Sequence, residues 1–171
     1  MTKREVVRMT LEGQEVPYTP WSFRFTLEAQ QKLAVHFDTD DLINSVGNHI
    51  VELGSDIGFF EDVGNDRWRD VFGVVWNRSV DKDIGDVEKV VLPEATLRGY
   101  EFPNPLDERF FVDIEGKLKQ HGDLYRLFCV GFSLYERAWT MRGMTNLLMD
   151  FYDNPQFVGD LFGAIADYNI A

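Results

Sequence analysis

The chain has 171 residues, of which 17 are Lys or Arg and 29 are Asp or Glu, and its formal net charge is −12. With 44% hydrophobic and 14% aromatic residues it can bury a hydrophobic core, which argues against a disordered chain. An acidic protein repels phosphate backbones and anionic lipids, and no basic patch offsets this charge, so we expect no nucleic acid and no membrane surface among its partners.

The first elements in chain order are predicted as a helix, a strand and a second helix. Thr2 and Glu5 have the spacing of a capping box and predict a short N-terminal helix. Residues 17–25 are rich in aromatic side chains and bounded by prolines, which favours a strand, and Thr26 follows as the cap of a helix over 27–37.

The middle of the chain predicts a helix, a strand and a hairpin. An apolar stripe after Thr39 predicts a helix that ends at Gly54. The short apolar run 56–62 predicts a buried strand, and 67–78 predicts an extended or hairpin excursion around a glycine. Residues 79–105, with their prolines and scattered charges, predict a long irregular connection.

The last part of the chain returns to alternating helices and strands. The pattern predicts a helix over 107–120, an apolar strand over 124–132 and a long helix capped by Ser133. Asn154-Pro155 begins a final helix, in which the apolar spacing continues to the last residues without a stop signal.

Strands separated by helices predict a parallel α/β fold, either a doubly wound sheet or an eight-stranded barrel. About three core strands are predicted, and an open three-stranded parallel sheet would leave edges that such sheets rarely tolerate. We therefore expect a partial (β/α)8 TIM barrel: its first three β/α units, with an N-terminal helix and a β-hairpin excursion. Residues 1–171 would be the N-terminal half of one domain, from a truncated or partial chain.

Several kinds of site lack support in the sequence. No glycine-rich phosphate loop follows a strand, and neither a serine elbow nor a Cys/His pair is present. His36, His49 and His121 have no metal-ligand spacing with Cys129, so they are expected as surface or helix residues. Cys129 itself lies in an apolar run and is expected as a small core residue. A single cysteine, no signal-peptide pattern and no membrane-span pattern predict a cytoplasmic protein.

Candidate site residues follow from position, because reactive groups of α/β barrels lie at the carboxyl ends of strands. The predicted strand ends carry Arg24, then Glu61 and Asp62, then Ser133, Tyr135, Glu136 and Arg137. A carboxylate lined there by Trp21, Phe59 and Phe60 could transfer protons or hold a cation. Alternatively, Glu61 and Asp62 solvate a loop, Glu136 favours a helix start, and Arg142 is a surface or salt-bridge residue.

Three stretches resemble the uroporphyrinogen decarboxylase superfamily, which holds the haem-pathway decarboxylase and a branch of corrinoid- or thiol-dependent methyltransferases. They are PWSFRFTLEA (20–29), GFFEDVG (58–64) and VGFSLYERAWTMRGM (130–144). The resemblance spans nearly the whole chain but corresponds to the N-terminal half of the family. It implies that Arg24 falls on the first arginine of the decarboxylase's Arg-x-x-x-Arg loop. It also implies that Asp62 is the catalytic aspartate that meets the pyrrole nitrogens and stabilises the protonated intermediate.

The match departs from the decarboxylase pattern at two places. Glu28 stands where the second arginine is expected, and the tyrosine expected after the third strand falls on Arg142 or Met144. Uroporphyrinogen carries eight carboxylates, so an anion in that loop opposes its binding. The stretches RWRDVFGVVW (67–76) and FSLYERAWTMRGMTNLLMDFYDNP (132–155) instead resemble the methyltransferase-like branch.

The resemblance therefore predicts methyl transfer between a small methylated substrate, a corrinoid and a thiol or pterin acceptor, with zinc activating the thiol. The zinc ligands of the family lie in its C-terminal half, so none is expected in this segment, which alone would be inactive. The implied substrate contacts are Arg24, Glu61, Tyr135, Glu136, Arg137 and Arg142, and a corrinoid protein is an implied partner.

Two other functions stay open. One is a cofactor-free uroporphyrinogen decarboxylase of porphyrin biosynthesis, a lyase with Asp62 at its centre. The other is a non-catalytic binding or assembly protein, whose half barrel completes itself as a homodimer. A His-x-Cys motif with a later Cys downstream of Ala171 would favour methyl transfer.

Overall fold

The computed structural model describes residues 1–55 and 58–171, which form a mixed α/β structure. The helices are α1 (Lys3–Leu11), α2 (Leu27–Phe37), α3 (Leu42–Ser45), α4 (Ile114–Gln120), α5 (Tyr135–Arg142), α6 (Met144–Asp153) and α7 (Pro155–Ile170), with a 3-10 helix at Glu108–Phe111. The strands are β1 (Ile50–Ser55), β2 (Phe60–Gly64), β3 (Arg67–Asp70), β4 (Val75–Asn77), β5 (Asp86–Lys89) and β6 (Tyr125–Val130).

The chain divides into two compact units, which are described separately. Unit 1 comprises Met1–Gly54 and Phe111–Cys129, and unit 2 comprises Ser55–Phe110 and Val130–Ala171.

The first two helices of unit 1 begin where their caps predict. The Thr2 hydroxyl accepts a hydrogen bond from the Glu5 N–H at 3.2 Å, and the Glu5 carboxylate accepts one from the Thr2 N–H at 2.6 Å. The Thr26 hydroxyl accepts from the Ala29 N–H in the same way at the start of α2. Both predicted helices are thus confirmed, because local capping chemistry fixes their first turns.

Unit 1 contains a two-stranded parallel sheet of β1 and β6. Val51 and Leu53 on β1 are buried with Leu124, and partly buried side chains of α3 and α4 pack against them: Ile43, Ile114 and Leu118. The predicted strand over 124–132 is confirmed as β6.

Unit 2 contains a four-stranded antiparallel sheet in the order β2-β3-β4-β5. Trp68 lies opposite Trp76 across β3 and β4, and Asp62 lies opposite Trp68 across β2 and β3. The turn between β3 and β4 contains Gly73 at φ +87°, a conformation that suits glycine. The predicted hairpin over 67–78 is therefore confirmed, and β2 and β5 extend it on either side.

The hydrophobic core of unit 2 contains residues of helices α5, α6 and α7 together with residues of the hairpin. Its buried side chains are Phe72, Val74, Trp76, Leu92, Ala138, Met141, Leu147, Phe157, Val158, Leu161 and Ile165. The helix predicted to restart at Asn154-Pro155 is confirmed as α7, with Pro155 in its first turn.

The long helix predicted after Ser133 is divided in the structure. Gly143, at φ 89° and ψ 134°, separates α5 from α6, and no helix continues through that backbone conformation. Ser133 is not its cap, since α5 begins after Leu134 without a side-chain cap. The apolar spacing is thus shared by two helices that meet at a glycine.

The helix predicted from Thr39 to Gly54 is wrong beyond its first turn. Asp41 caps α3, which ends at Ser45, and Gly47 then takes a φ of +70° that helices do not adopt. Residues 50–55 form β1, in which Val51 and Leu53 alternate with Glu52. The apolar residues of this segment fit both the helical period of 3.6 and the strand period of two. The segment is a strand here because its buried positions, Val51 and Leu53, follow a period of two.

Three further predicted elements differ from the structure. Residues 17–25 form no regular strand, since two prolines lack the N–H that a ladder needs and the N–H of Phe23 binds a side chain instead. The predicted helix over 107–120 divides into a 3-10 turn and α4, separated at Asp113 by a φ of +69°. Of the strand predicted over 56–62, residues 56 and 57 lie outside the described residues and 60–62 belong to β2.

The described strands form a parallel pair and an antiparallel sheet, and within residues 1–55 and 58–171 they do not close into a barrel. The predicted α/β class is therefore confirmed at the level of mixed α/β. Among the described helices, none combines the length and the apolar character that crossing a membrane requires.

Candidate functional site

Three polar side chains of unit 1 lie together on neighbouring segments. The Nε of Arg24 donates to both carboxylate oxygens of Glu52, at 2.7 and 2.6 Å, and its Nη2 forms an ion pair with the same carboxylate. Nη2 also lies 3.5 Å from the Sγ of Cys129. We call Arg24, Glu52 and Cys129 the Arg24 cluster.

The sequence positions the Arg24 cluster through a buried asparagine. The Phe23 N–H donates to the Oδ1 of Asn48 at 2.9 Å, and the Nδ2 of Asn48 donates to the Phe23 carbonyl at 3.0 Å. Asn48 thereby replaces the ladder bonds of a regular strand and holds the backbone next to Arg24 beside β1. Glu52 and Cys129 then project from adjacent parallel strands.

A buried histidine provides a second attachment for the same segment. The His49 N–H donates to the Trp21 carbonyl at 2.9 Å, and the His49 ring lies 4.5 Å from the Trp21 ring and 5.4 Å from that of Tyr18. Burial lowers the pKa of His49 and outweighs the hydrogen bond to Trp21, so the neutral imidazole is favoured. His49 is therefore a packed structural residue rather than the surface or helix residue that was predicted.

The Arg24 cluster combines an accessible cation with a compensating anion and a thiol. The Arg24 side chain is 57% exposed and that of Glu52 33%, so a solute can reach both. A small polar or anionic group can approach the exposed edge of a guanidinium that is paired with a carboxylate, while the pair has little net charge.

Glu61 and Asp62 lie on β2, in unit 2. The Asp62 carboxylate accepts a hydrogen bond from the Gly64 N–H at 2.8 Å, at an irregularity of the β2–β3 pairing, and Glu61 forms an exposed ion pair with Arg69 at 3.2 Å. Because β2 belongs to the antiparallel sheet, the prediction that these carboxylates lie at the carboxyl end of a parallel strand is wrong. Catalysis by Asp62 stays a prediction.

Arg137 is buried in unit 2 and holds a buried carboxylate. Its Nη1 lies 2.8 Å from the Oδ2 of Asp70, and its guanidinium lies 3.9 Å from the centre of the Phe72 ring. Asp70 also accepts the N–H groups of Phe72 and Val74 and the indole N–H of Trp76. This network fixes the β3–β4 turn against α5, and a substrate contact by Arg137 stays a prediction.

Arg142 is also buried and paired, in agreement with its salt-bridge interpretation. Its Nε lies 2.6 Å from the Oδ2 of Asp150, and its Nη1 donates to the carbonyls of Leu92 and Pro93. Burial alone would raise the pKa of Asp150, but the hydrogen bonds from Arg142 and Asn154 outweigh it, and the pKa lies below its ordinary value. A substrate contact by Arg142 also stays a prediction.

Of the remaining candidates, Ser133 is exposed before α5, and Tyr135 and Glu136 are exposed in its first turn. The Tyr135 hydroxyl lies 3.1 Å from the Sδ of Met144, and Glu136 is the acidic residue of that turn, where the helix dipole favours it. Among the described contacts of unit 2, five of the predicted residues each have a different partner: Glu61, Asp62, Tyr135, Arg137 and Arg142.

Sequence reasoning missed Glu52 and misplaced Cys129. Glu52 was hidden because its segment was interpreted as a helix, although the alternation of Val51, Glu52 and Leu53 carried the signal of a strand. Cys129 is only partly buried beside Arg24, whereas its apolar neighbours predicted a core position. The contacts of Arg24 join residues 28 and 105 positions apart in the chain, a relation that local patterns do not contain.

Across residues 1–55 and 58–171, no group of three or more His, Cys, Asp or Glu side chains is arranged to hold a metal ion. We compared the chain with protein-family models, with curated proteins and with solved structures, and none of the three comparisons found a match.

Proposed function

We propose that the chain forms the N-terminal part of a (β/α)8 barrel of the uroporphyrinogen decarboxylase superfamily, in its methyltransferase-like branch. In this proposal the protein transfers a methyl group from a small methylated substrate to a corrinoid or thiol acceptor. Unit 1 supplies part of the barrel wall, and Arg24 contacts the substrate.

The arrangement of unit 1 supports a barrel origin. Residues 21–23 bind the start of β1, and the Tyr125 N–H at the start of β6 donates to the His49 carbonyl at 2.8 Å. Three successive core segments therefore lie side by side in chain order, as the first strands of a (β/α)8 barrel do. Leu127, Phe128 and Val130 on β6 are all exposed, whereas strands of a finished parallel sheet are covered on both faces.

The Arg24 cluster is the single observation that carries the functional proposal. It gathers one polar side chain from each of three adjacent segments, Arg24, Glu52 and Cys129, and leaves the cation open to solutes. Substrate-binding groups of barrel enzymes come from several strands in this manner. Arg24 would orient the substrate through the exposed part of its guanidinium, with Glu52 fixing the direction of that group.

The described residues do not fit a zinc centre. Cys129 is the only cysteine of the chain, and among residues 1–55 and 58–171 no three His, Cys, Asp or Glu side chains are grouped as a zinc site requires. We therefore assign no step on these residues to zinc, and the role of unit 1 in the proposal is to bind and orient the substrate.

The pairing of Arg24 also favours methyl transfer over the decarboxylase alternative. A substrate with eight carboxylates needs uncompensated cations, but Glu52 compensates Arg24 and the chain carries a net charge of −12. A small substrate with one polar or anionic group meets no such repulsion.

The test uses protein expressed from the complete reading frame. Demethylation of methylcobalamin in the presence of a simple thiol, 2-mercaptoethanesulfonate, is followed by its visible spectrum, and decarboxylation of uroporphyrinogen is assayed in parallel. The sulfonate of this thiol is the anionic group that Arg24 would bind, so we expect thiol-dependent demethylation that Arg24→Gln reduces by at least about tenfold, the effect of losing a charge-assisted contact.

The matched control is Arg67→Gln, which removes a similar exposed ion pair, that with Glu88 at 3.0 Å, from the hairpin. It should leave the demethylation rate unchanged. Decarboxylation of uroporphyrinogen without demethylation, or equal losses in the two variants, would overturn the proposal.

A further inference from the structure

The outer face of α6 carries a row of apolar side chains. Leu147 and Asp150 point into unit 2, and the residues on the opposite side of the helix are Thr145, Leu148, Met149 and Tyr152. Their spacing, i, i+3, i+4 and i+7, is that of a seam between two packed helices. We call these residues the α6 stripe.

The α6 stripe is open along its length. Leu148 is 55% exposed, Met149 57% and Tyr152 91%. Helices at the surface of a protein ordinarily place polar or charged side chains on this face, and a contiguous apolar one is typical of an interaction site.

The segment that contains the stripe, residues 143–171, has charges of one sign. From Gly143 to Ala171 it contains no Lys or Arg, and its acidic residues are Asp150, Asp153, Asp160 and Asp167. Asp150 is buried against Arg142, whereas the other three are exposed. The charge that complements this face is therefore positive.

The apolar spacing and the negative charge favour one kind of binding partner over the others. A second copy docked stripe to stripe would bring the exposed aspartates of both chains together, because a two-fold interface pairs each patch with itself. An anionic lipid surface meets the same repulsion. A helix with apolar residues on one side and Lys or Arg on its flanks matches both the spacing of the stripe and its charge.

We propose that the α6 stripe is a docking site for a basic amphipathic helix of a partner protein. The apolar side of that helix lies along Leu148, Met149 and Tyr152, and its basic side chains face Asp153 on α6, while the other exposed aspartates of residues 143–171 add to the negative potential of this segment. In the complete protein, a stripe covered by the remainder of the chain would bind neither test peptide, and that outcome overturns this proposal without bearing on the methyl-transfer assay.

The experiment measures the binding of synthetic helices to the full-length protein by fluorescence anisotropy. One labelled peptide has leucines on one face and lysines on its flanks, and a second has the same leucines with glutamates. We expect the lysine peptide to bind and Leu148→Gln/Tyr152→Gln to weaken it by at least about tenfold, since two apolar contacts are lost. Asp153→Asn/Asp160→Asn should weaken it by a few-fold, and added salt should reduce that difference.

The control is Val35→Gln/Val80→Gln, which removes two apolar side chains that are 84% and 88% exposed elsewhere. It should bind as the wild type does. Equal binding of both peptides, unchanged binding by the stripe variant, or no binding to the wild type would overturn the proposal. Wild-type dimers that Leu148→Gln/Tyr152→Gln dissociates would overturn it in favour of a second copy.

Discussion

At the scale of single residues, the two buried arginines differ from the exposed ones in what they do for the fold. Arg137 and Asp70 are nearly inaccessible, and Asp70 has four donors around it in unit 2. Arg69 and Glu61 form an ion pair of similar length, at 3.2 Å, but both side chains are about half exposed or more. Burial, and not the distance between the charges, therefore separates a structural pair from a surface pair.

We expect Arg137→Ala to destabilise the protein by about 3–5 kcal/mol, because it leaves the carboxylate of Asp70 buried without its cation. Arg69→Ala removes an exposed pair and should cost less than about 1 kcal/mol. Urea unfolding of the two variants measures the difference. Equal losses would show that Asp70 finds solvent or another donor when Arg137 is absent.

For Asp62 we expect a different result. Its side chain is exposed, and an asparagine at this position can still form its one described hydrogen bond. In Asp62→Asn the side-chain oxygen still accepts from the Gly64 N–H, so the free energy of unfolding should change little. If Asp62 acts in catalysis, the variant lowers turnover far more than stability. Asp66→Asn, at an exposed aspartate of the same hairpin, is the control. Equal losses of turnover and stability in Asp62→Asn would favour the solvated-loop interpretation.

At the scale of elements, the sequence correctly predicted the features that depend on residues close together in the chain. The capping box at Thr2, the cap at Thr26 and the hairpin around Gly73 each involve residues a few positions apart, and all three are confirmed. The helix predicted from Thr39 to Gly54 was wrong beyond Ser45, because its apolar residues satisfy both periods and packing in unit 1 decides between them.

In the candidate site, too, local sequence identified a residue but not the partners that the fold brings to it. Position in the sequence singled out Arg24, but its partners Glu52 and Cys129 come from other segments, and their meeting depends on strand pairing. The buried pairing of Arg137 with Asp70 likewise joins positions 67 residues apart. Charged residues in an apolar helix predict a surface role until the partner that compensates them is known.

The break between α5 and α6 gives a prediction at this scale. Alanine at Gly143 would meet only ordinary contacts, with Asn146 and Val90 at 3.6 Å, so its cost comes from the backbone conformation at φ 89°. We expect Gly143→Ala to destabilise the protein by about 1–3 kcal/mol. Gly163→Ala lies within α7 in open space and should stabilise it by about 0.5–1 kcal/mol. Thermal unfolding compares the two, and a neutral Gly143→Ala would mean that the α5–α6 junction can adopt another conformation.

At the scale of the whole molecule, the two units have cores of very different size. The described core of unit 2 contains eleven buried side chains, including Trp76 and Met141, and it is crossed by two buried ion pairs. The sheet core of unit 1 contains three, Val51, Leu53 and Leu124, and the exposed β6 adds little. Buried apolar area is the main favourable contribution to folding, so unit 2 has the larger share of the stability.

We therefore expect the chain to unfold in two steps, with unit 1 first. Three of its four tryptophans, Trp68, Trp76 and Trp139, belong to unit 2, so fluorescence follows that unit, whereas far-ultraviolet circular dichroism follows both. The circular dichroism transition should begin at lower urea than the fluorescence transition, because separate cores lose cooperativity when their stabilities differ. Hydrogen exchange should likewise be faster in β1 and β6 than in β4 and α7. Coincident transitions and equal protection would show that the two units unfold as one, with the small core of unit 1 stabilised by contacts beyond its own.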